Sequence, residues 1–424
     1  MSEREANELF WTAIGYGVVA GAAVVALAGL WLFVPAFRQR WWPLKRLRPG
    51  YWTGRDVLLA FCALGFQVFI IVMLLQIGFF ANLIGPEPDR AAFKDDNAFK
   101  DAARAYGIRC GAIASPLYLA VTLGVVFASL FVRTSTRPHH LGLTWARWPA
   151  NLGLGLAAVV LVAPFVLGLH SMTTIVLGDQ GFSYVVLARD IKNDWEWIVL
   201  AFMLVVAAPL IEEVIFRGVL LGWLRRATLA GHLGVMGATI LRAAFGAWNF
   251  EPVSQAFTFN AGPLIFAAVF VGGYVYAMVR LARRYQLEED EIQAWQPQAS
   301  RDPVHNEAFC SKEAIRQSWT EANARLALYG SAMLFAIIHT DAWPAPIALF
   351  PLSLVLGALA QRTQSLIGPI VLHATFNLIS FIALYGIAIQ GDGTNGNACT
   401  MAAPPLAAGS MVNSVPASQL PLRK

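Results

Sequence analysis

The chain has few charged side chains for its length. Asp, Glu, Lys and Arg make up 13% of its 424 residues and hydrophobic residues 57%, whereas soluble domains carry about 25% charged residues. The mean hydropathy is correspondingly high, at +0.56. This composition excludes an ordinary soluble domain and predicts an all-α fold, a polytopic bundle of transmembrane helices in a multi-pass protein of the cell (plasma or inner) membrane.

Cysteine is also scarce, and its spacing is not that of a metal site. The four cysteines are Cys62, Cys110, Cys310 and Cys399, and no two of them form a Cys-x-x-Cys pair, which argues against a structural zinc site. Cys110 and Cys399 could both face an oxidising exterior and pair, although nothing in the sequence requires it.

The chain further lacks the patterns of two other protein classes. No stretch combines a basic groove with stacking aromatics, so nucleic acid is not a predicted partner. The formal net charge of +5 is attributed to cytoplasmic anchoring beside anionic lipid. No internal repeat of the kind that builds inverted-topology transporters is present, which weakens a transporter interpretation without excluding it.

Apolar stretches dominate what is present, and a helical span needs about 20 such residues. The candidate spans are 10–36, 57–84, 111–132, 150–177, 197–224, 234–249, 262–280, 324–340, 344–360 and 366–390. The stretch 234–249 is the weakest, because it is short and carries Arg242, and it is either spanning, re-entrant or interfacial. The first stretch is too long for a signal-peptide core and is interpreted as a retained span. The sequence therefore predicts eight to ten spans.

Lys and Arg are concentrated in alternate loops, which predicts the orientation of the chain. The loops predicted to be cytoplasmic are 37–56, 133–147, 225–226 and 280–284, and those predicted to be external are 85–110, 178–196 and the tail 391–424. The alternation is consistent if 234–249 and 262–280 both cross the membrane or neither does.

The most informative residues are 211–218, Ile-Glu-Glu-Val-Ile-Phe-Arg-Gly, inside the apolar run 197–224. A charge near the bilayer centre costs roughly 2.5–3.5 kcal/mol on insertion scales, so three of them must face a protein interior or a water-filled cavity. Glu213 and Arg217 are four residues apart on a helix and can pair, whereas Glu212 points about 100° away. The spacing predicts one structural carboxylate, Glu213, and one free carboxylate, Glu212. A purely structural charge network is the alternative.

Two further helices carry polar groups. Phe335-Ala-Ile-Ile-His339 ends an apolar stretch, and His373-Ala-Thr-Phe-Asn377 puts an imidazole and an amide four residues apart on one face. Taken singly, His339 could be an interfacial histidine, and the side chains of His373 and Asn377 could serve only to form hydrogen bonds between helices. Helix counting puts Glu212 toward the cytoplasmic end of its helix and His339 toward the external end, so a shared site requires a deeper start for 324–340 or a site in mid-membrane.

Together the three motifs, Glu-Glu-x-x-x-Arg, Phe-x-x-x-His and His-x-x-x-Asn, resemble those of the CAAX-protease and bacteriocin-processing family of intramembrane proteases, which includes the type II CAAX prenyl endopeptidases and lysostaphin-resistance-protein-A-like proteins. The resemblance covers about 197–226 and 324–390. It divides the chain into an N-terminal region of four spans without a specific match, a protease domain with an insertion, and a tail that is predicted to be disordered. These parts are 1–190, 191–390 with the insertion at about 227–323, and 391–424.

One departure concerns the second motif. More than a hundred residues separate Arg217 from Phe335, whereas the family usually has a few tens. Phe245-Gly-Ala-Trp-Asn249 lies nearer the usual spacing and mimics the motif with Asn in place of His. It is interpreted as a chance likeness and not as the second motif, because the sequence after His339 fits the family and the sequence after Asn249 does not. The polar stretch 281–323 is predicted to be a cytoplasmic helix and loop.

The residue types fit peptide hydrolysis, which needs an activated water, a proton donor and a group that stabilises the oxyanion. Glu212 suits the general base, His339 can hold the water or relay its proton, Asn377 can donate an N–H to the oxyanion, and His373 can support it. Glu213 is counted with this catalytic set. Arg217 and Phe335 are predicted to support the site.

The resemblance implies a glutamate-activated water and a membrane-associated peptide or protein substrate at the lipid bilayer, with prenylated CAAX-type proteins as one class. Zinc is a possible cofactor, with Glu212, His339 and His373 as its ligands, but metal-free catalysis is favoured. The alternatives are a non-catalytic scaffold or peptide-resistance protein of the same family and, less favoured, an ion-coupled transporter using Glu212 and Glu213. A scaffold has little reason to keep Glu212, His339 and Asn377 together.

Overall fold

A computed structural model of the chain describes residues 52–93, 95–177, 191, 194–227, 229–251, 256–299 and 323–392. The predicted span 10–36 lies outside the described residues, as do Cys310, Cys399 and all but the first two residues of the predicted tail. The pairing of Cys110 with Cys399, which the sequence allows but does not require, therefore lies outside the described residues.

The described residues form helices, together with one antiparallel hairpin. In chain order the elements are α1 (Gly54–Leu75), α2 (Gly78–Ile84), α3 (Asp96–Thr134), α4 (Trp148–Leu177), α5 (Asp194–Leu224), α6 (Leu229–Ala247), β1 (Trp248–Glu251), β2 (Ala256–Phe259), α7 (Gly262–Ala299), α8 (323–337), α9 (Ala345–Thr363) and α10 (Ile367–Asp392). Trp248 pairs with Phe259 at the open end of the hairpin. Eight of the described helices are long and apolar enough to cross a membrane, so the all-α polytopic class is confirmed.

Several element boundaries differ from the sequence prediction, and α3 begins at Asp96, whereas the predicted span begins at 111. The stretch 57–84 is two helices, because Ile77 takes an extended backbone between α1 and α2. The helix predicted in the polar stretch 281–323 is present as far as Ala299, as a continuation of α7; its Glu-, Gln- and Ala-rich sequence favours helix beyond the apolar part. The helix predicted over 324–340 ends at 337. The doubtful stretch 234–249 lies largely within α6, one of the candidate spans.

Helix α5 lies at the centre of the bundle. Every residue of its segment Glu213–Leu220 is buried, and the helix contacts α1, α3, α9 and α10. The Ser331 hydroxyl of α8 donates to the Phe216 carbonyl of α5, at 3.2 Å, and the Phe216 and Phe335 rings meet edge to face. Helix α4 packs against α9 and α10, and α6 pairs with α7. The polar residues of α5 therefore face protein on several sides.

Chain segments that are predicted to be cytoplasmic meet at one end of the bundle. The Trp52 indole N–H donates to the Val219 carbonyl near the end of α5, at 2.8 Å. The Leu366 amide, before α10, donates to the Gly142 carbonyl in the loop between α3 and α4, also at 2.8 Å. This grouping agrees with the alternation of loops that the basic residues predict.

Candidate active site

The backbone of α5 is irregular around the first motif. It changes from α to π hydrogen bonding over Phe202–Ala207, returns to α over Ala208–Glu212, and is π again over Glu213–Leu220. π-Helical turns are rare and frequently lie at functional sites. Glu212 and Glu213 lie on either side of one such change. Hydrophobic periodicity carries no signal for this irregularity, and the sequence predicts a regular helix here.

Glu213 and Arg217 form a fully buried ion pair. Arg217 Nη1 donates to Glu213 Oε1 at 2.9 Å, and neither side chain is exposed to solvent. The pair predicted from the four-residue spacing is thereby confirmed. A charge-assisted hydrogen bond of this kind is the usual way in which buried charges are tolerated.

Arg217 has two further partners, both from other helices. Its Nη2 donates to the Ser353 hydroxyl of α9 at 2.8 Å, and its guanidinium lies 4.3 Å from the centre of the Phe335 ring of α8. A cation over an aromatic ring is worth about 2 kcal/mol when desolvated. Phe335 thus contacts Arg217 directly, and its predicted supporting role stays a prediction, whereas Ser353 was missed by sequence reasoning. Its only signal is a hydroxyl within the apolar part of α9.

His373 of α10 lies between the two glutamates. Its Nδ1 is 2.9 Å from Glu213 Oε1, while its Nε2 is 3.9 Å from Glu212 Oε2. Since a carboxylate accepts, Nδ1 carries the proton, and Nε2 is turned toward Glu212. The distance of 3.9 Å is too long for a direct hydrogen bond.

Glu212 is the less constrained carboxylate of the pair. Its side chain is 19% exposed, whereas that of Glu213 is not exposed. Its Oε2 is buried and has no hydrogen-bond partner among the described residues. This difference agrees with the predicted division between a structural Glu213 and a free Glu212.

His339 follows the end of α8 and reaches the cluster through Phe335. Its Nδ1 is 2.8 Å from the Phe335 carbonyl, so Nδ1 donates, and Nε2 is left with a lone pair in the neutral ring. The ring of Phe335 lies 4.9 Å from that of His339 and 5.8 Å from that of His373. Phe335 therefore contacts both histidines. Because His339 follows the end of α8, this contact brings that end close to the glutamates of α5, although helix counting placed them at different depths.

Asn377 lies one turn beyond His373 on α10. Its Nδ2 donates to the Leu204 carbonyl, in the first π segment of α5, at 2.8 Å. His373 and Asn377 therefore both face α5, as their spacing predicts. One of the two amide hydrogens of Asn377 is used in this bond.

A comparison with known families finds a match over the part of the chain that carries these residues. Residues 194–286 and 306–379 match the family model described as type II CAAX prenyl endopeptidase Rce1-like. Residues 194–379 carry an Rce1-like domain. Comparisons with curated proteins and with solved structures found no match. The matched ranges of the Rce1-like domain take in 227–286, so that 287–305 is the part of the predicted insertion that lies between them.

Within the Rce1-like domain, the alternative second motif has different surroundings. Phe245 is 68% exposed and Asn249 lies in β1, after the end of α6. Phe335 is 1% exposed and contacts Arg217. These positions favour Phe335 and His339 as the second motif.

The described residues of the Rce1-like domain do not fit a three-ligand zinc site. In the part of the chain that the structure describes, no group of three His, Cys, Asp or Glu side chains is placed so that it could hold a metal ion. Glu213 Oε1 is bound by both Arg217 and His373, and His339 uses Nδ1 for the Phe335 carbonyl. We therefore assign no step of the chemistry to a metal.

Proposed function

We propose that the Rce1-like domain is an intramembrane endopeptidase that cleaves membrane-associated peptides or proteins, with prenylated CAAX-type proteins as the first substrate class to test. The observation that carries the proposal is that Glu212 Oε2, which has no hydrogen-bond partner among the described residues, lies 3.9 Å from His373 Nε2. A single water can lie about 2.8 Å from both atoms, within hydrogen-bond range of each.

Charge balance supports Glu212 as the base. Arg217 neutralises Glu213, so with neutral histidines the remaining negative charge of the cluster belongs to Glu212. That carboxylate removes a proton from the water, and the resulting hydroxide adds to the scissile carbonyl. The C–N bond then breaks, and the proton held by Glu212 passes to the leaving amine.

His373, His339 and Asn377 complete the proposed reaction. His373 Nε2 orients the water toward Glu212. Glu212 and His373 together take both hydrogens of the water, so His339 Nε2, an acceptor in the neutral ring, is left to relay the proton from Glu212 to the leaving amine. The hydrogen of the Asn377 amide that is not bound to Leu204 can donate to the developing oxyanion.

The test is a cleavage assay in proteoliposomes with a prenylated CAAX peptide and a membrane-anchored unprenylated peptide. We expect wild type to cleave at least one of them, and Glu212→Gln to lower kcat by about 10²- to 10⁴-fold, the usual contribution of a general base. Product is measured by mass spectrometry. Glu87→Gln makes the same substitution at an exposed glutamate outside the domain and should match wild type.

Full activity of Glu212→Gln would overturn the assignment of the base. Failure of wild type to cleave either peptide, with the protein folded, would favour the scaffold interpretation. The unprenylated peptide separates general membrane proteolysis from recognition of a prenyl group.

A further inference from the structure

Helix α6 contributes a charged side chain to the turn that carries His339. Arg242 lies in the last two turns of α6, a helix that is otherwise apolar or neutral, and its side chain is 26% exposed. A guanidinium in a candidate span requires a partner. Its partners lie on both sides of His339.

The first contact is with the end of α8. Arg242 Nη2 donates to the carbonyl of Ile338 at 3.2 Å and to Asp341 Oδ1 at 2.8 Å. The last carbonyls of a helix lack intrahelical partners. Here the Ala342 amide bonds to the His339 carbonyl rather than to that of Ile338. Arg242 supplies the donor for Ile338 and, as a cation, suits the C-terminal end of a helix dipole.

The second contact packs the Thr340 side chain against the backbone of α6, one turn further along that helix. A Cβ added at Gly246 would lie 2.5 Å from the Thr340 hydroxyl and 2.8 Å from its Cβ. Only a residue without a side chain permits this approach. Thr340 is 2% exposed. The residues before and after His339 are therefore both held by α6.

We propose that Arg242 is a positioning residue for His339, and this inference rests on the proposed function. The bond from His339 to the Phe335 carbonyl fixes the imidazole relative to α8. Arg242 fixes the backbone that follows α8, and so the place of the ring relative to α5. Asp341 is 81% exposed, and exposed ion pairs contribute little to stability. The bond to the Ile338 carbonyl is therefore the contact that matters.

The kinetic test compares Arg242→Met, Arg242→Lys and Asp341→Asn in the proteoliposome assay. A displacement of about 1 Å can lower a rate by about 10²-fold, so we expect Arg242→Met to lower kcat by about 10- to 100-fold with KM unchanged within about twofold. Arg242→Lys keeps one charged donor and should recover part of kcat. Asp341→Asn should stay within about threefold of wild type. Arg280→Met, at an exposed position of α7, is the matched control.

A second measurement does not depend on cleavage. The ring nitrogens of His339 are observed by 15N NMR of histidine-labelled protein in detergent and assigned by the loss of their signals in His339→Gln. Wild type should show the Nδ1-protonated tautomer that the Phe335 carbonyl requires. Arg242→Met should show a mixture of tautomers, since the turn is no longer held, and Arg242→Lys should lie between the two.

The outcomes separate the two proposals. If wild type cleaves and Glu212→Gln does not, wild-type kcat in folded Arg242→Met overturns the positioning role alone. If wild type does not cleave, the proposed function fails, and an unchanged His339 tautomer in Arg242→Met overturns the positioning role independently. If Arg242→Met does not fold, Arg242→Gln, which is shorter and lacks the charge, is measured in its place, and wild-type kcat with an unchanged tautomer in that variant has the same consequence.

Discussion

Arg217 connects three helices through three chemically different contacts. It donates to a carboxylate on its own helix and to a hydroxyl on α9, and it lies over a ring on α8. Glu213 is shared between Arg217 and His373. The cation therefore fixes the one carboxylate that orients His373, and through His373 it acts on the position of Glu212.

Replacing Arg217 should affect folding more than replacing Glu212. Arg217→Ala leaves Glu213 as a buried charge without its cation, and removing one partner of a buried pair costs about 3–5 kcal/mol. Glu212→Gln keeps the shape of the side chain, so its free energy of unfolding should stay within about 0.5 kcal/mol of wild type. Both are measured by denaturant unfolding in mixed micelles. Arg280→Ala, exposed on α7, is the control, and an Arg217→Ala protein as stable as this control would contradict the argument.

At this scale the sequence predicts contacts within a helix better than contacts between helices. The Glu213–Arg217 pair follows from a spacing of four residues, and the His373–Asn377 face follows from the same rule. Ser353 is 136 residues from Arg217, and no local pattern relates the two. The order of the motifs identified Phe335, but its contact with the guanidinium depends on how α8 crosses α5.

Among the helices, the close contact between α4 and α10 determines where His373 and Asn377 lie. A Cβ added at Gly155 would be 2.7 Å from the Gly368 carbonyl and 3.0 Å from Val371 Cβ. Small residues at helix crossings allow such an approach in membranes. Because Gly368 and Val371 precede His373 on α10, this crossing sets the position of the third motif.

A larger side chain at this crossing should move α10. Gly155→Val is expected to destabilise the protein by about 1–3 kcal/mol through overpacking and to lower kcat as His373 shifts from Glu212. Gly153→Val tests the same substitution two residues earlier on α4, where an added Cβ meets nothing within 4 Å. Denaturant unfolding and the cleavage assay are run on both variants. Equal behaviour of the two valine variants would mean that the crossing does not position α10.

The elements themselves were predicted where hydropathy reports them and missed where it does not. Apolar length gave the spans from α3 to α7 and from α9 to α10 to within several residues at most ends. Hydropathy describes surroundings and not hydrogen bonding, so it indicates neither the π segments of α5 nor the continuation of α7 into polar sequence to Ala299. The break between α1 and α2 depends on the backbone of Ile77, inside one continuous apolar stretch.

For the whole molecule, the long separation between the first and second motifs is compatible with one site. The α6–α7 pair and the hairpin between its helices occupy that separation, and α6 returns to hold the turn after His339 through Arg242 and Gly246. The interposed chain therefore contacts the site that it separates in sequence. The C-terminal end of α5 contacts Trp52 and the loop that contains Gly142.

The contacts at the C-terminal end of α5 and the positions of the basic loops together predict which loops lie on the same side of the membrane. Ala92 precedes α3 in a loop predicted to be external, and Ala146 follows α3 in a loop predicted to be cytoplasmic; both are exposed. In a protein whose four cysteines are replaced by alanine, we expect Ala92→Cys to react with a membrane-impermeant maleimide on intact cells. Ala146→Cys should react only after permeabilisation, because the positive-inside rule holds the Arg-rich loop in the cytoplasm. The cysteine-free protein controls for other labelling. Reaction of both positions from the same side would mean that α3 does not cross the bilayer. Reaction of Ala146→Cys alone on intact cells would mean that the orientation is the reverse of the predicted one, with the end of α5 that contacts Trp52 outside the cell.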